Sequence, residues 1–136
     1  MFSIKGIDHV VIRARELERM VTFYQDVLGC AVELRRDDLG LVHLRAGHSL
    51  IDLIAVDGVQ GRRGGAAAAA EGRNMDHLCL GVEPFALDEL RAHLEAHGVE
   101  VSPLQHNYGA EGHGPSLYLE DPEGNVIELK GPADAP

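Results

Sequence analysis

The stretch IDHVVIRA, residues 7–14, returns later in the chain as MDHLCLGV, residues 75–82. Both stretches are rich in aliphatic side chains, and each predicts a strand with a histidine near its start. His9 and His77 stand 68 positions apart, and an aspartate precedes each of them. A repeat at this distance predicts a tandem duplication, and 136 residues are enough for both copies to share one domain.

The first copy predicts a βαβββ module over residues 4–57. After the strand at 7–14, apolar residues from Leu17 to Leu28 recur at three- and four-residue spacing, and Gly29 follows. This pattern is typical of an amphipathic helix and its C-cap. Three short strand-like runs come next: AVELRRDD at 31–38, GLVHLRAG at 40–47 and SLIDLIAV at 49–56.

The second copy predicts the same order of elements over residues 74–131, after a Gly- and Ala-rich linker at 58–73. Pro84 suits the first turn of a helix that carries a leucine stripe and ends at Gly98. The remaining segments predict a Gly-rich loop at 104–114, strands at 99–103, 115–121 and 125–131, and a hairpin turn at 121–124.

These elements predict an α+β fold. A single domain over residues 1–136 would contain two tandem βαβββ modules that form a curved mixed sheet around a cavity. If the helices cover the more apolar face of each sheet, the polar side chains of the strands point to the opposite, concave face.

Composition restricts the class of function. The net charge of −10 is spread along the chain and disfavours a nucleic-acid or anionic-membrane surface. No apolar stretch approaches the roughly 20 residues of a membrane helix, and the first six residues lack a signal-peptide core. Cys30 and Cys79 lack CxxC spacing, which predicts free thiols. We therefore expect a cytoplasmic protein that binds neither nucleic acid nor membrane.

Asp52 is the residue that points to a metal. It interrupts an apolar run predicted to be buried on both faces, where an unpaired carboxylate is costly. Superimposing LIDL at 50–53 on VIEL at 126–129 places Asp52 on Glu128, so each module supplies one histidine and one carboxylate. Two imidazoles and two carboxylates suit a divalent ion such as Ni, Co, Mn, Fe or Zn. The predicted ligands are His9, Asp52, His77 and Glu128.

These motifs resemble the vicinal oxygen chelate superfamily, which includes glyoxalases, bleomycin-resistance proteins and dioxygenases. The resemblance extends from Ile7 to Lys130. It is carried by DHV at 8–10, FYQDVLG at 23–29, the strand around Asp52, DHL at 76–78 and, most specifically, LEDPEGNVIEL at 119–129. It implies a cavity lined by a metal, a small substrate with vicinal oxygens, and a homodimer.

Similarity to glyoxalase I implies a metal-dependent lyase or isomerase. The four predicted ligands fall on its ligand positions, with Asp52 where a glutamate is usual. Glu128 is the implied base, because its longer side chain can leave the metal. Arg13 matches an arginine that grips the glutathione carboxylate, so glutathione is a candidate co-substrate. Val56 departs from the pattern, since an amide side chain is expected there.

A fosfomycin-modifying enzyme is one alternative within the superfamily. It would use His9, His77 and Glu128 and a basic, Gly-rich loop. The segment at 106–116 has the glycines but no Lys or Arg to pair with a phosphonate.

Two more candidate functions are an extradiol dioxygenase and a metal-free drug-binding protein of the bleomycin-resistance type. A dioxygenase would bind iron through three of the four ligands, and a fourth ligand would crowd its site. Tyr108 and His113, with His106 nearby, are then candidate substrate-binding and proton-transfer residues. The acidic charge suits a drug-binding groove, but the absence of Trp does not.

Overall fold

The sequence repeat corresponds to two units of the same topology. A computed structural model describes residues 1–136, which divide into the units Met1–Gly72 and Arg73–Pro136. Each unit contains one α-helix and one four-stranded mixed sheet. The predicted α+β fold with two tandem βαβββ modules is confirmed.

The first unit contains β1 (His9–Ala14), α1 (Leu17–Asp26), β2 (Ala31–Arg36), β3 (Leu41–Ala46) and β4 (Ser49–Ala55). Its strand order is β1-β4-β3-β2, with β1 parallel to β4 and the other pairs antiparallel. The helix α1 packs against β3 and β4. Its apolar face is buried, and Gly29 follows it at φ 73°, a left-handed conformation that favours glycine.

The second unit contains β5 (Leu78–Gly81), α2 (Leu87–Ala96), β6 (Gln105–Gly109), β7 (Gly112–Glu120) and β8 (Val126–Lys130). The order β5-β8-β7-β6 reproduces that of the first unit, and β5 is again parallel to β8. The registers also agree, since Val11 pairs with Asp52 and Cys79 pairs with Glu128. Each carboxylate therefore lies beside the residue two positions after the histidine of the DH pair.

Side-chain alternation gives each sheet one apolar face. In β1, Ile12 and Ala14 are buried while His9 and Val11 are exposed. Leu117, Leu119, Ile127 and Leu129 likewise form the buried face of β7 and β8. Burying a side chain of this size stabilises the fold by about 1.5–3 kcal/mol. These rows hold each sheet in register and so fix which side chains reach the opposite face.

Three predictions in the second module are wrong. The predicted strand at 99–103 is irregular, and the predicted loop at 104–114 is a β-hairpin formed by β6 and the start of β7. The glycines that suggested a loop belong to its strands, and at Gly109 and Gly114 an added Cβ would lie less than 3.0 Å from other atoms. Pro84 is not in the helix, which begins three residues later at Leu87; the bond before Pro84 is cis.

The linker at 58–73 contains little regular structure. A short 3-10 helix spans Gly61–Gly64, and the five alanines that follow form no helix. The boundary between the two units falls at its end, after Gly72. Both α-helices have ten residues, and neither meets the length and hydropathy needed to cross a membrane.

Candidate functional site

Asp52 is paired with a histidine that the sequence analysis did not select. Asp52 is only 3% exposed, and its Oδ1 lies 2.9 Å from Nδ1 of His43. The two residues are register partners on β3 and β4, so their side chains leave the same face of the sheet. His43 therefore reduces the burial cost of the carboxylate that first suggested a metal site.

His9 shares that face of the first sheet. Its Nδ1 lies 2.6 Å from Oδ1 of Asp8, so the contact with Asp8 does not use Nε2. The hydrogen bond that His9 donates to Asp8 raises the pKa of His9; partial burial opposes the shift, and the charge of Asp52 adds to it. Within this unit, His9 and Asp52 are thus electrostatically coupled without being bonded to each other.

The second unit brings its histidine and carboxylate into contact. Glu128 is 5% exposed, and its Oε2 lies 3.1 Å from Nε2 of His77. The Asn107 amide donates to Oε1 of Glu128 at 2.9 Å and lies 3.0 Å from the Tyr118 hydroxyl. Asn107 comes from the hairpin strand β6, which the sequence analysis treated as loop. It is a site residue that sequence reasoning missed.

The surroundings of Glu128 keep it ionised. Burial raises the pKa of Glu128, but the Asn107 amide, the Ser116 hydroxyl, the Cys79 thiol and the charge of His77 lower it, and the net pKa is below the ordinary value. The Ser116 oxygen has no partner at hydrogen-bonding distance and angle, so we assign its effect to a nearby dipole. The carboxylate can therefore accept a proton at neutral pH.

His77 is held from both sides. Its Nδ1 lies 2.7 Å from Oδ2 of Asp76, and its ring meets Tyr118 edge to face at 5.5 Å. The hydrogen bond to Asp76 raises the pKa of His77; burial opposes this, and Glu128 adds to the rise. Burial, followed by the charge of Glu128, raises the pKa of Tyr118. The phenol therefore stays protonated and can donate a hydrogen bond.

Both predicted free cysteines are free. Cys30 is buried and Cys79 is exposed beside Glu128, its register partner. Burial and the neighbouring carboxylate raise the pKa of Cys79 to about 11, so the group is a thiol and not a thiolate at neutral pH.

The donors in each unit suit a divalent metal. An aspartate holds Nδ1 of each histidine, which is how proteins commonly orient a metal-binding imidazole, and Nε2 is the nitrogen that would bind. A buried carboxylate lies on the same sheet face in each unit. Neither unit by itself gathers three or more His, Cys, Asp or Glu side chains into a cation site. His9 with Asp52, and His77 with Glu128, are two pairs of candidate ligands.

The Arg13 guanidinium, predicted to bind a substrate carboxylate, is hydrogen-bonded to backbone carbonyl groups of the chain itself. It donates to the carbonyl oxygens of Ala66 at 2.9 Å, Gly61 at 3.0 Å and Gly65. These bonds hold the start of the linker against β1. A substrate carboxylate could bind Arg13 only in exchange for them, so the role predicted from the resemblance stays a prediction with this added requirement.

Tyr108 and His113 do not join Glu128. They are register partners, and their rings meet at 5.1 Å. Strand alternation puts them on the face of the hairpin opposite to Asn107, and Tyr108 is 76% exposed. His106 stacks on His113 on the same side and bonds to Asp134. Their predicted substrate contact is not supported by any interaction within this unit.

The fold and these residues define a class of small α+β proteins with duplicated βαβββ units and a histidine–carboxylate pair in each. Residues 6–129 match the family model of the Glyoxalase/Bleomycin resistance protein/Dioxygenase superfamily. The chain belongs to this superfamily, as the resemblance predicted.

One known protein and one solved structure are similar to this chain over nearly its whole length. The chain is 27% identical over 135 residues to the glyoxalase domain-containing protein RDO1 of Mycosarcoma maydis, covering 98% of this chain and 72% of that protein. The integron cassette protein VCH_CASS1 of V. cholerae is 26% identical with TM-score 0.78, over 96% and 98% of the two chains.

Two further solved structures share the fold. The lactoylglutathione lyase of Agrobacterium tumefaciens is 22% identical with TM-score 0.67, over 94% of each chain. The fosfomycin resistance protein FosX of Listeria monocytogenes is 20% identical with TM-score 0.69, over 94% and 92%.

Proposed function

We propose that the protein is a divalent-metal-dependent lyase or isomerase of the glyoxalase type, acting on a small substrate with vicinal oxygens. The observation that carries the proposal is the pairing of a buried, ionised Glu128 with His77, whose other ring nitrogen is fixed by Asp76. Carboxylates are seldom buried this deeply unless they are paired. Superfamily membership makes an enzyme of this kind the first hypothesis.

The residues proposed to hold the metal are those predicted from the sequence: His9, Asp52, His77 and Glu128. Nitrogen and carboxylate oxygen in this proportion suit Ni, Co, Mn, Fe or Zn. When bound, such an ion polarises a substrate carbonyl and stabilises developing negative charge. His43 would share Asp52 with it and would orient the free carboxylate oxygen.

Glu128 would act as the base. One of its oxygens takes the proton from the hydroxyl-bearing carbon next to the substrate carbonyl and returns it to the carbonyl carbon. The hydroxyl proton passes to the former carbonyl oxygen, so the isomerisation consumes no other reagent. Asn107 holds Oε1 at 2.9 Å and leaves Oε2 for this role once it parts from His77. Tyr118, kept protonated by burial and by the charge of Glu128, can donate to a substrate oxygen.

Glutathione is the candidate co-substrate. Arg13 would bind its carboxylate if the linker carbonyls release the guanidinium. Val56, an apolar side chain, offers no hydrogen bond to help. A small substrate without glutathione therefore has equal standing within the lyase and isomerase class.

A fosfomycin-modifying reaction is the second candidate, and one observation favours it. The hairpin lacks Lys and Arg in sequence, but Lys130 of β8 reaches across to it, since the Lys130 side chain lies where a Cβ on Gly109 or Gly114 would be. A cation is therefore present beside the hairpin after all. Phosphonates are bound through such charge-assisted hydrogen bonds.

Metal analysis and three activity assays test the proposal. Purified protein would be analysed for bound metal and assayed on methylglyoxal with glutathione, on fosfomycin with thiols or water, and on catechols with oxygen uptake. We expect stoichiometric metal, loss of that metal on changing His77 and Glu128 to alanine together, and turnover of the first or second substrate. Oxygen uptake with catechol would replace the proposal by a dioxygenase function. A protein that binds a cationic drug but no metal would replace it by drug sequestration.

A further inference from the structure

Lys130 is a buried cation without a counter-ion. It is the last residue of β8, is 7% exposed, and donates one long hydrogen bond of 3.4 Å to the carbonyl of its neighbour Gly131. A lysine ammonium has three donors, so two are unused. Removing such a charge from water is costly unless a partner compensates for it.

Two glycines make room for the Lys130 side chain. A Cβ on Gly109 would lie 2.8 Å from Cε of Lys130, and a Cβ on Gly114 would lie 3.0 Å from Nζ. Because neither glycine has a positive φ, backbone conformation does not require glycine at either position. A larger residue at Gly109 would prevent the close approach of Lys130, and one at Gly114 would also meet the carbonyl oxygen of Pro132, 2.5 Å from its Cβ.

A second unsatisfied polar group lies beside it. Ser116 is the register partner of Lys130, so both side chains leave the same face of the sheet. The Ser116 side chain is fully buried, and its Oγ has no hydrogen-bond partner. Buried polar atoms in proteins are nearly always paired, so a hydroxyl without a hydrogen-bond partner beside an ammonium without a counter-ion requires an explanation.

Glu128 does not serve as the missing counter-ion. It lies on the same face of β8, two residues before Lys130 and about 7 Å away along the strand, and its hydrogen-bonding distances are to His77 and Asn107. Lys130 instead extends over Gly114 and Gly109. Glu128 and Lys130 are thus neighbours on one face of β8, but the carboxylate points toward His77 and the ammonium toward the hairpin.

We propose that Lys130 and Ser116 form a binding site for an anionic oxygen group, carboxylate or phosphoryl, of the substrate. The anion would complete the hydrogen bonds of the ammonium and the hydroxyl and would place the rest of the substrate beside Glu128. The inference rests on the proposed function for the identity of the neighbouring catalytic group. It restricts the substrate class to small anions.

The experiment measures anion binding by the full 136-residue chain. Thermal unfolding and calorimetric titration would compare sodium phosphate and sodium acetate with sodium chloride at matched ionic strength. Lys130→Met is the main variant, and Lys5→Met, at an exposed position, is the matched control. We expect phosphate or acetate to raise the melting temperature of the wild type and of Lys5→Met, and to bind Lys130→Met roughly 10- to 100-fold more weakly. The stronger of the two anions identifies the group.

Two further variants protect the test against loss of folding. Gly109→Ala keeps the charge but adds a methyl group where Lys130 Cε lies, so it should weaken anion binding while the chain stays folded. Lys130→Met should itself melt at a higher temperature than the wild type without added anion, because an uncompensated charge has been removed. A stability gain together with a loss of anion response is not expected of a lysine that only supports the fold.

Three results would overturn the inference. The first is that phosphate and acetate raise the melting temperature of the wild type no more than chloride does. The second is that they raise that of Lys130→Met as much as that of the wild type. The third is that, without added anion, Lys130→Met melts at a lower temperature than the wild type. None of them depends on bound metal or on turnover. Stoichiometric metal with no anion response would therefore reject this inference but not the proposed function. An anion response without bound metal would reject the proposed function but not the anion site.

Discussion

The two units use one backbone plan for two different carboxylates. Asp52 and Glu128 occupy the same register position, but the residue opposite each on the neighbouring strand is His43 in the first unit and Tyr118 in the second. The His43 imidazole is the side chain to which Asp52 is hydrogen-bonded. Glu128 instead contacts the histidine of its DH pair and an amide from the hairpin. Duplication has thus kept the position of the acid and changed its partners.

The difference suggests a division of work. A short aspartate bonded to a strand neighbour is held in place. A longer glutamate whose partners come from a strand end and a hairpin can change them during a reaction. The predictions below test whether the two halves differ in this way or are equivalent.

The largest expected effect is on turnover. Glu128→Gln should lower kcat/KM on the substrate that the wild type accepts by about 10²–10⁴-fold, because the base is lost while the amide keeps its shape. Asp52→Asn should cost clearly less. Steady-state kinetics would measure both, with the exposed Glu120→Gln as control. Equal losses at Asp52 and Glu128 would mean that the two acids share one role.

The apolar faces should be equivalent where the polar faces are not. Ile51 and Ile127 are matched positions on β4 and β8, and both are almost completely buried. Replacing either by alanine should lower the free energy of unfolding by about 2–5 kcal/mol, through lost burial and a cavity. Denaturant unfolding would measure this. A cost confined to one unit would show that only one core supports the fold.

Breaking the Asp52 pair should destabilise the first unit. His43→Ala leaves a buried carboxylate without its hydrogen bond, at a cost of about 1–3 kcal/mol. The matched change in the second unit, Tyr118→Phe, should cost less because Asn107 still donates to Glu128. Thermal or denaturant unfolding compares the two. A neutral His43→Ala would mean that Asp52 obtains its stabilisation elsewhere.

The smallest effect is on pH dependence, and here the two units should behave alike. In metal-free protein, the aspartate before each histidine raises the pKa of His9 and of His77 above 6.5. The folded chain then binds these protons more tightly than the unfolded chain does. Their stabilisation is complete below pH 6.5 and is lost as pH rises through the raised folded values.

NMR titration of the imidazole protons tests this. Asp76→Asn should lower the pKa of His77 and leave that of His9 unchanged, and Asp8→Asn should do the reverse. A shift of both histidines in either variant would contradict the local origin of the effect.

The sequence predicted most of the fold because hydrophobic alternation and helical spacing are local signals. Through the repeat it also selected both histidines and both carboxylates, whose roles as metal ligands stay predictions. The partner of Asp52 could have been found too, because the two-residue turn at 47–48 pairs residue 46 with 49 and hence His43 with Asp52. That inference requires the pairing register of β3 and β4, which composition alone does not give.

Other features had no local signal. The hairpin of β6 and β7 contains glycines that normally mark loops. Gly109 contacts the side chain of Lys130, and Gly114 contacts that side chain and the carbonyl oxygen of Pro132; both neighbours are distant in sequence. The contacts of Arg13 with carbonyl groups likewise depend on the path of the linker, and a low-complexity composition does not specify a path.

That linker carries a constraint its composition conceals. A Cβ on Gly61 would lie 1.8 Å from the Ala55 carbonyl oxygen, and one on Gly64 would lie 2.5 Å from Nε of Arg13. The Gly61 contact is with backbone, which cannot move aside, whereas the Gly64 contact is with the end of a flexible side chain, which can. Random mutagenesis of the segment should therefore tolerate most changes among its alanines, cost Gly64 only the position of Arg13, and reject nearly all changes at Gly61. A stretch that looks like interchangeable filler would then prove, in a deep mutational scan, to be as intolerant at one point as any core position.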